Sequence, residues 1–274
     1  MLARRRHLRL GARIAGETPL LVPAFSSRGF PDLAYILKLS SEFITSAFLI
    51  SAYDIYHKNL GDNPDVGFAS LVFLDSGHYE KAHFSDLSDL QYSDYRSKKW
   101  NRSLLLEVLK HWPVGQNNPV TIAISYDEPG LKLKDQITSA QEIFHNKSGV
   151  LKEFLIKPET KKQAYIQINS ILDSIDQLAA FDIIGLTEKE LGSSVLQRME
   201  RIAKIRIAMD RAGVDRPIHI FGGLDTISTP LYYISGAEIF DGLSWLRLSS
   251  SIMKCNTWGS RKVPANLSIY GKTI

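Results

Sequence analysis

Short apolar stretches alternate with longer helix-patterned segments along this chain, and that alternation limits its possible folds more than any other feature. Eight stretches have the length and apolar content of buried strands, at residues 20–25, 47–51, 69–74, 120–125, 154–156, 181–185, 218–221 and 238–240. Helical patterns cover residues 32–40, 102–110, 133–144, 161–178, 190–212 and 228–235, and the polar stretch 51–69 indicates a loop. Eight strands alternating with helices predict an α/β protein, a (β/α)8 TIM barrel over residues 18–250.

A doubly wound open sheet is the alternative architecture, because it also alternates strands with helices. Sheets of that kind often bind dinucleotides through a G-x-G-x-x-G turn after the first strand, and no such turn follows residues 20–25. We therefore favour the barrel.

The composition narrows the class of protein. The chain has 274 residues, of which 44% are hydrophobic, enough for a large core. Its single cysteine, Cys255, excludes an intrachain disulfide and a four-cysteine zinc site, and fits a reducing, cytoplasmic setting. No apolar run of about 18 residues occurs, so we expect no membrane segment. A formal charge of +4 permits a polyanionic partner without requiring one.

Residues 1–17 form a basic N-terminal segment without the apolar stretch of a secretory signal peptide. Its basic residues include Arg4, Arg5, Arg6, Arg9 and Arg13. One interpretation is an arm that binds a polyanion. The other, which we favour, is a solvated or disordered terminus. At the opposite end, residues 251–274 are predicted to form a short tail outside the barrel.

Polar side chains follow the predicted strands at the points where the strands end. Asp75, Asp127 and Asp241 come after strands three, four and eight, and Lys157 follows strand five. In a closed parallel barrel these ends meet at one mouth, where TIM-barrel enzymes have their active sites. Each acid alone is consistent with a cap on the following helix. Three acids together predict a site, because desolvated carboxylates with shifted pKa values suit nucleophilic and acid–base roles.

Five short motifs occur in order between residues 18 and 247. They are T-P-L-L-V-P at 18–23, D-S-G-H-Y-E at 75–80, Y-D-E-P at 126–129, G-L-T-E-K-E at 185–190 and F-D-G-L-S-W-L-R at 240–247. Together they resemble the tRNA-guanine transglycosylase superfamily of queuosine and archaeosine modification, whose fold is a TIM barrel with an added zinc subdomain. The last two motifs are closer to the family's 7-deazaguanine DNA transglycosylases.

The resemblance implies a pentosyltransferase that exchanges guanine for a 7-deazaguanine base, of the preQ0 or preQ1 kind, in DNA or tRNA. Asp241 would be the nucleophile that forms a covalent ester with C1′ of the sugar. Asp75 would carry the proton that the leaving base needs and, with Asp127, would read the purine edge.

The same resemblance implies further contacts to the substrate. The predicted base-binding residues are Ser76, Asp127, Lys157, Gly185, Leu186 and Glu190. Gly185 would offer its backbone to the base, and Glu190 would lie beneath it. The predicted contacts to the nucleic-acid backbone are Arg28 and Arg247.

The sequence departs from the family pattern in ways that bear on the site. His78 stands where the family has a glycine, and Lys157 where it has a glutamine. Since an ammonium only donates, Lys157 either contacts a carbonyl, nitrile or phosphate group, or forms a salt bridge with Asp127. The family's C-x-C-x-x-C zinc motif should follow Asp241, yet the rest of the chain holds only Cys255. We therefore expect no zinc and no other cofactor.

Two other functions stay open at this point. The missing zinc motif favours a catalytically impaired, truncated barrel that binds nucleic acid or a partner chain. The position of Lys157 after strand five favours a Schiff-base enzyme that acts on a carbonyl compound. The sequence does not distinguish DNA from tRNA as the polymer, and it leaves open a homodimer or a partner subunit.

Overall fold

Eight parallel strands close into a barrel in the computed structural model, which describes residues 2–81, 95–115 and 118–246 and the backbone of 248–251 and 254–257. After a hairpin of β1 (His7–Leu10) and β2 (Arg13–Glu17), the barrel strands are β3 (Leu20–Phe25), β4 (Ala47–Ser51), β5 (Leu71–Asp75), β6 (Val120–Ile124), β7 (Val150–Ile156), β8 (Ile183–Thr187), β9 (Ile218–Phe221) and β10 (Ile239–Gly242). Strand β10 pairs with β3, with Asp241 opposite Val22, and this pairing closes the sheet. The predicted (β/α)8 architecture is confirmed, and the open sheet is wrong.

Helices connect the strands and surround the barrel. They are α1 (Leu33–Ser40), α2 (Ala52–Tyr56), α3 (His78–Lys81), α4 (Arg102–His111), α5 (Leu133–Phe144), α6 (Ile168–Asp173), α7 (Glu188–Leu191), α8 (Val195–Arg211) and α9 (Ser228–Ile234). Short 3-10 turns cover Ile175–Ala180 and Ser244–Leu246, and the backbone of β11 (Leu248–Ser251) and β12 (Lys254–Thr257) forms a second hairpin. Other parts of the predicted tail lie outside the described residues.

One loop prediction and two helix predictions need correction. The stretch 51–69 contains α2, which begins where the Ser51 hydroxyl accepts a hydrogen bond from the Tyr53 amide at 3.1 Å. The stretch 161–178 is helical only from Ile168, because the Ile166 amide donates to the Glu190 carbonyl instead of entering a helix. The stretch 190–212 is two helices, since a new N-cap forms at Ser194.

Side chains alternate between two apolar layers along each strand, as the pleat requires. The barrel interior is filled by residues such as Val22, Leu49, Phe73, Ile122 and Ile239. The layer between strands and helices holds their outward-facing neighbours, such as Phe48, Val72 and Phe240. A position on a strand therefore decides which layer a side chain enters, and only inward positions near the carboxyl ends can reach the mouth.

The basic N-terminal segment is folded, contrary to the expected solvated terminus. Leu8 and Ala15 of the hairpin are buried with the barrel interior, and Gly16 packs on the Leu71 side chain at the start of β5. The hairpin therefore covers the amino-terminal end of the barrel, opposite the mouth.

Three arginines of this segment form ion pairs within the chain, and the interpretation as a polyanion arm stays a prediction. The Arg6 side chain is buried, forms an ion pair with the buried Glu238 and lies 2.8 Å from Asp215. Arg4 pairs with Asp210, and Arg5 pairs with Glu17 at 3.0 Å. None of the helices in the described part of the chain is long and apolar enough to cross a membrane.

Candidate active site at the barrel mouth

The three acids predicted from the strand ends lie together at the carboxyl end of the barrel. Asp75 ends β5, Asp127 follows β6 and Asp241 is an inward residue of β10. Their proximity has an electrostatic consequence, because the charges of Asp127 and Asp241 both act on Asp75. Parallel strands deliver their last inward side chains to one mouth, which is why residues separated by 166 positions can share a site.

Asp241 is held through a single carboxylate oxygen. Its Oδ1 accepts a hydrogen bond from the Gly222 amide at 2.9 Å and lies 3.3 Å from Nε2 of His219. Gly222 has a φ of 75°, a conformation that favours glycine. Oδ2 accepts no hydrogen bond from the described part of the chain. With 7% of its surface exposed, Asp241 is nearly desolvated and has one oxygen available.

Asp75 is suited to hold or release a proton near neutral pH. Its Oδ2 accepts from the Gly77 amide at 3.0 Å, which stabilises the charged form. Burial and the charges of Asp127 and Asp241 act in the opposite direction and raise the pKa of Asp75 to about 7. Such a carboxyl can serve as an acid in one step and as a base in the next.

Lys157 joins two acids of the mouth. Its Nζ lies 3.5 Å from Asp127 Oδ2 and 2.7 Å from Glu190 Oε1, and it donates to Thr187 Oγ1 at 3.3 Å. The salt bridge to Asp127 was one of the two sequence interpretations and is confirmed. Asp127 is fixed from its other oxygen by the Ser76 hydroxyl at 2.6 Å.

The charge of Lys157 disfavours the Schiff-base enzyme. Burial alone would lower the pKa of this amine, but the carboxylates of Asp127 and Glu190 outweigh burial and raise it above its ordinary value. A Schiff base requires a neutral amine to attack the carbonyl. An ammonium held between two carboxylates does not meet that requirement.

Packing accounts for two of the predicted base-binding residues, Gly185 and Leu186, and the predicted backbone contact of Gly185 stays a prediction. A Cβ atom on Gly185 would lie 2.7 Å from Phe221 Cε2 and 3.0 Å from Glu153 Oε1. Gly185 therefore leaves room for two inward side chains. The next residue, Leu186, faces the helix layer and is fully buried there. The prediction for Leu186 is wrong for its side chain, because the pleat turns it away from the mouth.

The prediction that Arg28 contacts the nucleic-acid backbone is also wrong. It is 1% exposed, its Nη1 donates to the Tyr79 carbonyl at 2.6 Å, and its guanidinium lies 4.8 Å from the centre of the Tyr79 ring. A buried guanidinium cannot contact a nucleic-acid backbone, so Arg28 supports α3 instead. Arg247, the other predicted contact, lies outside the described residues.

The structure adds two buried side chains that the sequence interpretation missed. Glu153 of β7 and His219 of β9 are fully buried, with Nδ1 of His219 2.7 Å from Oε1 of Glu153. The ring of Phe221 stacks on His219 with centroids 4.1 Å apart. The sequence did contain a signal for them, a charged or polar residue at an inward position of an apolar strand. Burial of such a residue costs free energy unless it is paired.

Another buried acid lies beside the mouth in the motif at 75–80. Glu80 is 2% exposed and accepts hydrogen bonds from the hydroxyls of Ser26 and Ser51, at 2.6 Å and 2.8 Å. Burial and the nearby charges of Asp54 and Asp75 raise the pKa of Glu80 well above its ordinary value. The shift favours the neutral form of Glu80, which lessens repulsion at Asp75.

No family model matches the chain, and no curated protein matches it.

Within residues 2–81, 95–115 and 118–246, no group of three or more His, Cys, Asp and Glu side chains is arranged to hold a metal ion. The side chain of Cys255 lies outside the described residues, and the expectation that the chain binds no zinc stays a prediction.

Proposed function

We propose that this chain is a transglycosylase that exchanges guanine for a 7-deazaguanine base in a nucleic acid through a covalent aspartyl–sugar intermediate. The observation that carries the proposal is the pair formed by Asp241 and Asp75. One carboxylate is anchored through Oδ1 with Oδ2 available, and the other has a pKa of about 7 at the same mouth. A fixed nucleophile beside a titrating carboxyl is what a double displacement at an anomeric carbon requires.

In the first displacement, Oδ2 of Asp241 attacks C1′ as the bond from C1′ to N9 of guanine breaks. The bonding electrons leave with the base, and the protonated carboxyl of Asp75 supplies the proton that neutralises it. In the second displacement, Asp75 takes the proton from the incoming base, whose nitrogen attacks C1′ and releases Asp241. Two inversions retain the configuration of the sugar.

The network around Lys157 supports recognition of a purine. Asp127 is held by Ser76 and Lys157, so its carboxylate is fixed as an acceptor for the N–H groups of a guanine edge. The Lys157 ammonium is a donor suited to the O6 carbonyl of the same base. The target base has to leave its stack to reach these groups, as in other enzymes that act on single bases.

The test is incorporation of labelled guanine into tRNA and into double-stranded DNA, measured in parallel. Asp241→Asn keeps the shape of the side chain but makes it a poor nucleophile, and the rate should fall at least about 10³-fold. Asp182→Asn is the matched control. Asp182 accepts from the Lys152 amide at 2.8 Å, next to the start of β8 and away from the mouth, and asparagine keeps an acceptor there.

Each alternative corresponds to a distinct result. A wild-type chain that exchanges base on neither polymer supports the catalytically impaired barrel. Near-wild-type exchange by Asp241→Asn shows that another residue is the nucleophile. A reduced adduct on Lys157 after borohydride treatment with carbonyl compounds supports the Schiff-base enzyme.

A further inference from the structure

Three side chains from different strands form a line through the barrel interior towards the mouth. Glu153 of β7, His219 of β9 and Asp241 of β10 are linked by Nδ1 to Oε1 at 2.7 Å and by Nε2 to Oδ1 at 3.3 Å. Glu153 and His219 have no exposed surface, so solvent does not screen them. Each nitrogen of the imidazole thus faces a carboxylate.

Between two ionised carboxylates, this geometry favours a charged ring. A neutral imidazole has one N–H and one lone pair, so one of its nitrogens would direct a lone pair at a carboxylate. An imidazolium donates to Glu153 through Nδ1 and carries a second N–H on Nε2, which lies 3.3 Å from Oδ1 of Asp241. The other described neighbours are the edge of Phe73 at 5.3 Å and the stacked ring of Phe221, and neither offers a competing charge.

The electrostatics agree with that assignment. Burial alone would lower the pKa of His219. The charge of Glu153, together with the hydrogen bonds to Asp241 and Glu153, outweighs burial and raises the pKa to about 9. The ring therefore carries its proton through the neutral range, and Gly185 leaves the space that Glu153 needs to approach it.

We infer that His219, held as an imidazolium by Glu153, is a positioning residue that binds Oδ1 of Asp241 and leaves Oδ2 to react with the sugar. This inference rests on the proposed function. In the ester, Oδ2 is bonded to C1′ and Oδ1 is the carbonyl oxygen. When the incoming base displaces Asp241, the bonding electrons return to the carboxylate, and the imidazolium and the Gly222 amide stabilise the returning charge. The inferred role is greatest in the second displacement.

The charge of His219 is measured by NMR of the full chain labelled with ¹⁵N and ¹³C in histidine. His219→Gln identifies the resonance among the seven histidines, and His111→Gln removes an exposed ring as a control. We expect both nitrogens of His219 to carry protons at about pH 7 to 8. In Glu153→Gln and in Asp241→Asn the ring should become neutral at a lower pH. A neutral ring in the wild type at about pH 7 would overturn the inference.

Kinetics separate a positioning role from a structural one. Glu153→Gln keeps the volume of the side chain and removes its charge. We expect kcat to fall about 10- to 100-fold, the KM for the polymer to fall with it, and the sugar adduct to accumulate because its release becomes slow. In this variant kcat should begin to decline at a lower pH than in the wild type, because the pKa of His219 is lower. An unchanged kcat and an unchanged pH of decline would contradict the role.

The two measurements distinguish this inference from the proposed function. The NMR measurement needs no substrate and is independent of activity. If the wild type exchanges bases but its His219 is neutral, only the positioning role is refuted. If the wild type does not exchange bases, the proposed function is refuted whatever the spectra show. If Glu153→Gln fails to fold, Asp241→Asn decides the NMR test. In Asp241→Asn, the pKa of His219 should be lower than in the wild type. An equal pKa of His219 in the two proteins would show that the ring does not bind Asp241.

Discussion

The Nζ atom of Lys157 lies 2.7 Å from Oε1 of Glu190, although the two residues belong to different strand-to-helix connections. Both side chains are largely buried, with exposed fractions of 9% and 20%. Removal of one partner from such a pair leaves the other charge without compensation, which is expensive in a protein interior. The pair thus ties the ends of β7 and β8 together at the mouth.

Lys157→Gln, which introduces the residue of the transglycosylase pattern, should reduce the free energy of unfolding by about 2–3 kcal/mol. The loss is expected below the value for a completely buried pair because Glu190 keeps some contact with water. Urea unfolding measures it. The double variant with Glu190→Gln should recover part of the loss. A loss in the double variant equal to the sum of the losses in Lys157→Gln and Glu190→Gln would show that the charge pair does not stabilise the fold.

Asp75 makes stability depend on pH in a defined direction. Its pKa is raised from 3.8 to about 7 in the folded chain. The folded state therefore binds the proton more tightly, and the associated stability is complete below about pH 4 and lost as pH rises through about 7. Asp75→Asn should unfold less readily than wild type at pH 8, by about 1–2 kcal/mol after allowance for solvent near the mouth. The difference should disappear near pH 4.

The absence of a side chain at Gly185 is required by its neighbours. Gly185→Ala would place Cβ 2.7 Å from Phe221 Cε2 and 3.0 Å from Glu153 Oε1. Overpacking of this kind costs about 1–3 kcal/mol, measured as a lower Tm. Adding Phe221→Leu should restore part of the loss by removing the ring. If Gly185→Ala has the same Tm as the wild type, the strand makes room for the methyl group without loss of stability.

Arg28 is predicted to affect stability rather than nucleic-acid binding. Arg28→Ala removes a buried guanidinium that donates to the Tyr79 carbonyl and lies against its ring, and should cost about 2–4 kcal/mol in unfolding free energy. The salt dependence of binding to tRNA or DNA counts phosphate contacts. Its slope should be the same for wild type and a folded Arg28→Gln variant, which lacks the charge, and a smaller slope in the variant would show that Arg28 contacts a phosphate.

Local patterns were sufficient to predict the barrel and its acids. The bounds of β3, β4 and β9 agree with the predicted strands to the residue, because each is a short apolar run between breaks. Asp75, Asp127 and Asp241 were found because parallel strands end at one mouth. Identification of a base exchange, by contrast, depends on motif resemblance and remains for experiment.

Long-range pairing explains what sequence reading missed. His219 and Glu153 are 66 positions apart, and Arg6 is paired with Glu238 across most of the chain. No local pattern indicates that such charges meet. Arg28 was mispredicted for the same reason. A basic residue after a strand is expected at the surface, and the local sequence does not show that an aromatic side chain covers it.

The hairpin of β1 and β2 has a consequence for the order of events in the proposed exchange. Because Leu8 and Ala15 fill the amino-terminal end of the barrel, a base has the same route in and out, past Asp75 and Asp241. The outgoing guanine must vacate this route before its replacement enters, while the polymer stays attached. We therefore expect free guanine to compete with the incoming base for the covalently loaded enzyme, so that its accumulation slows the exchange and reverses it.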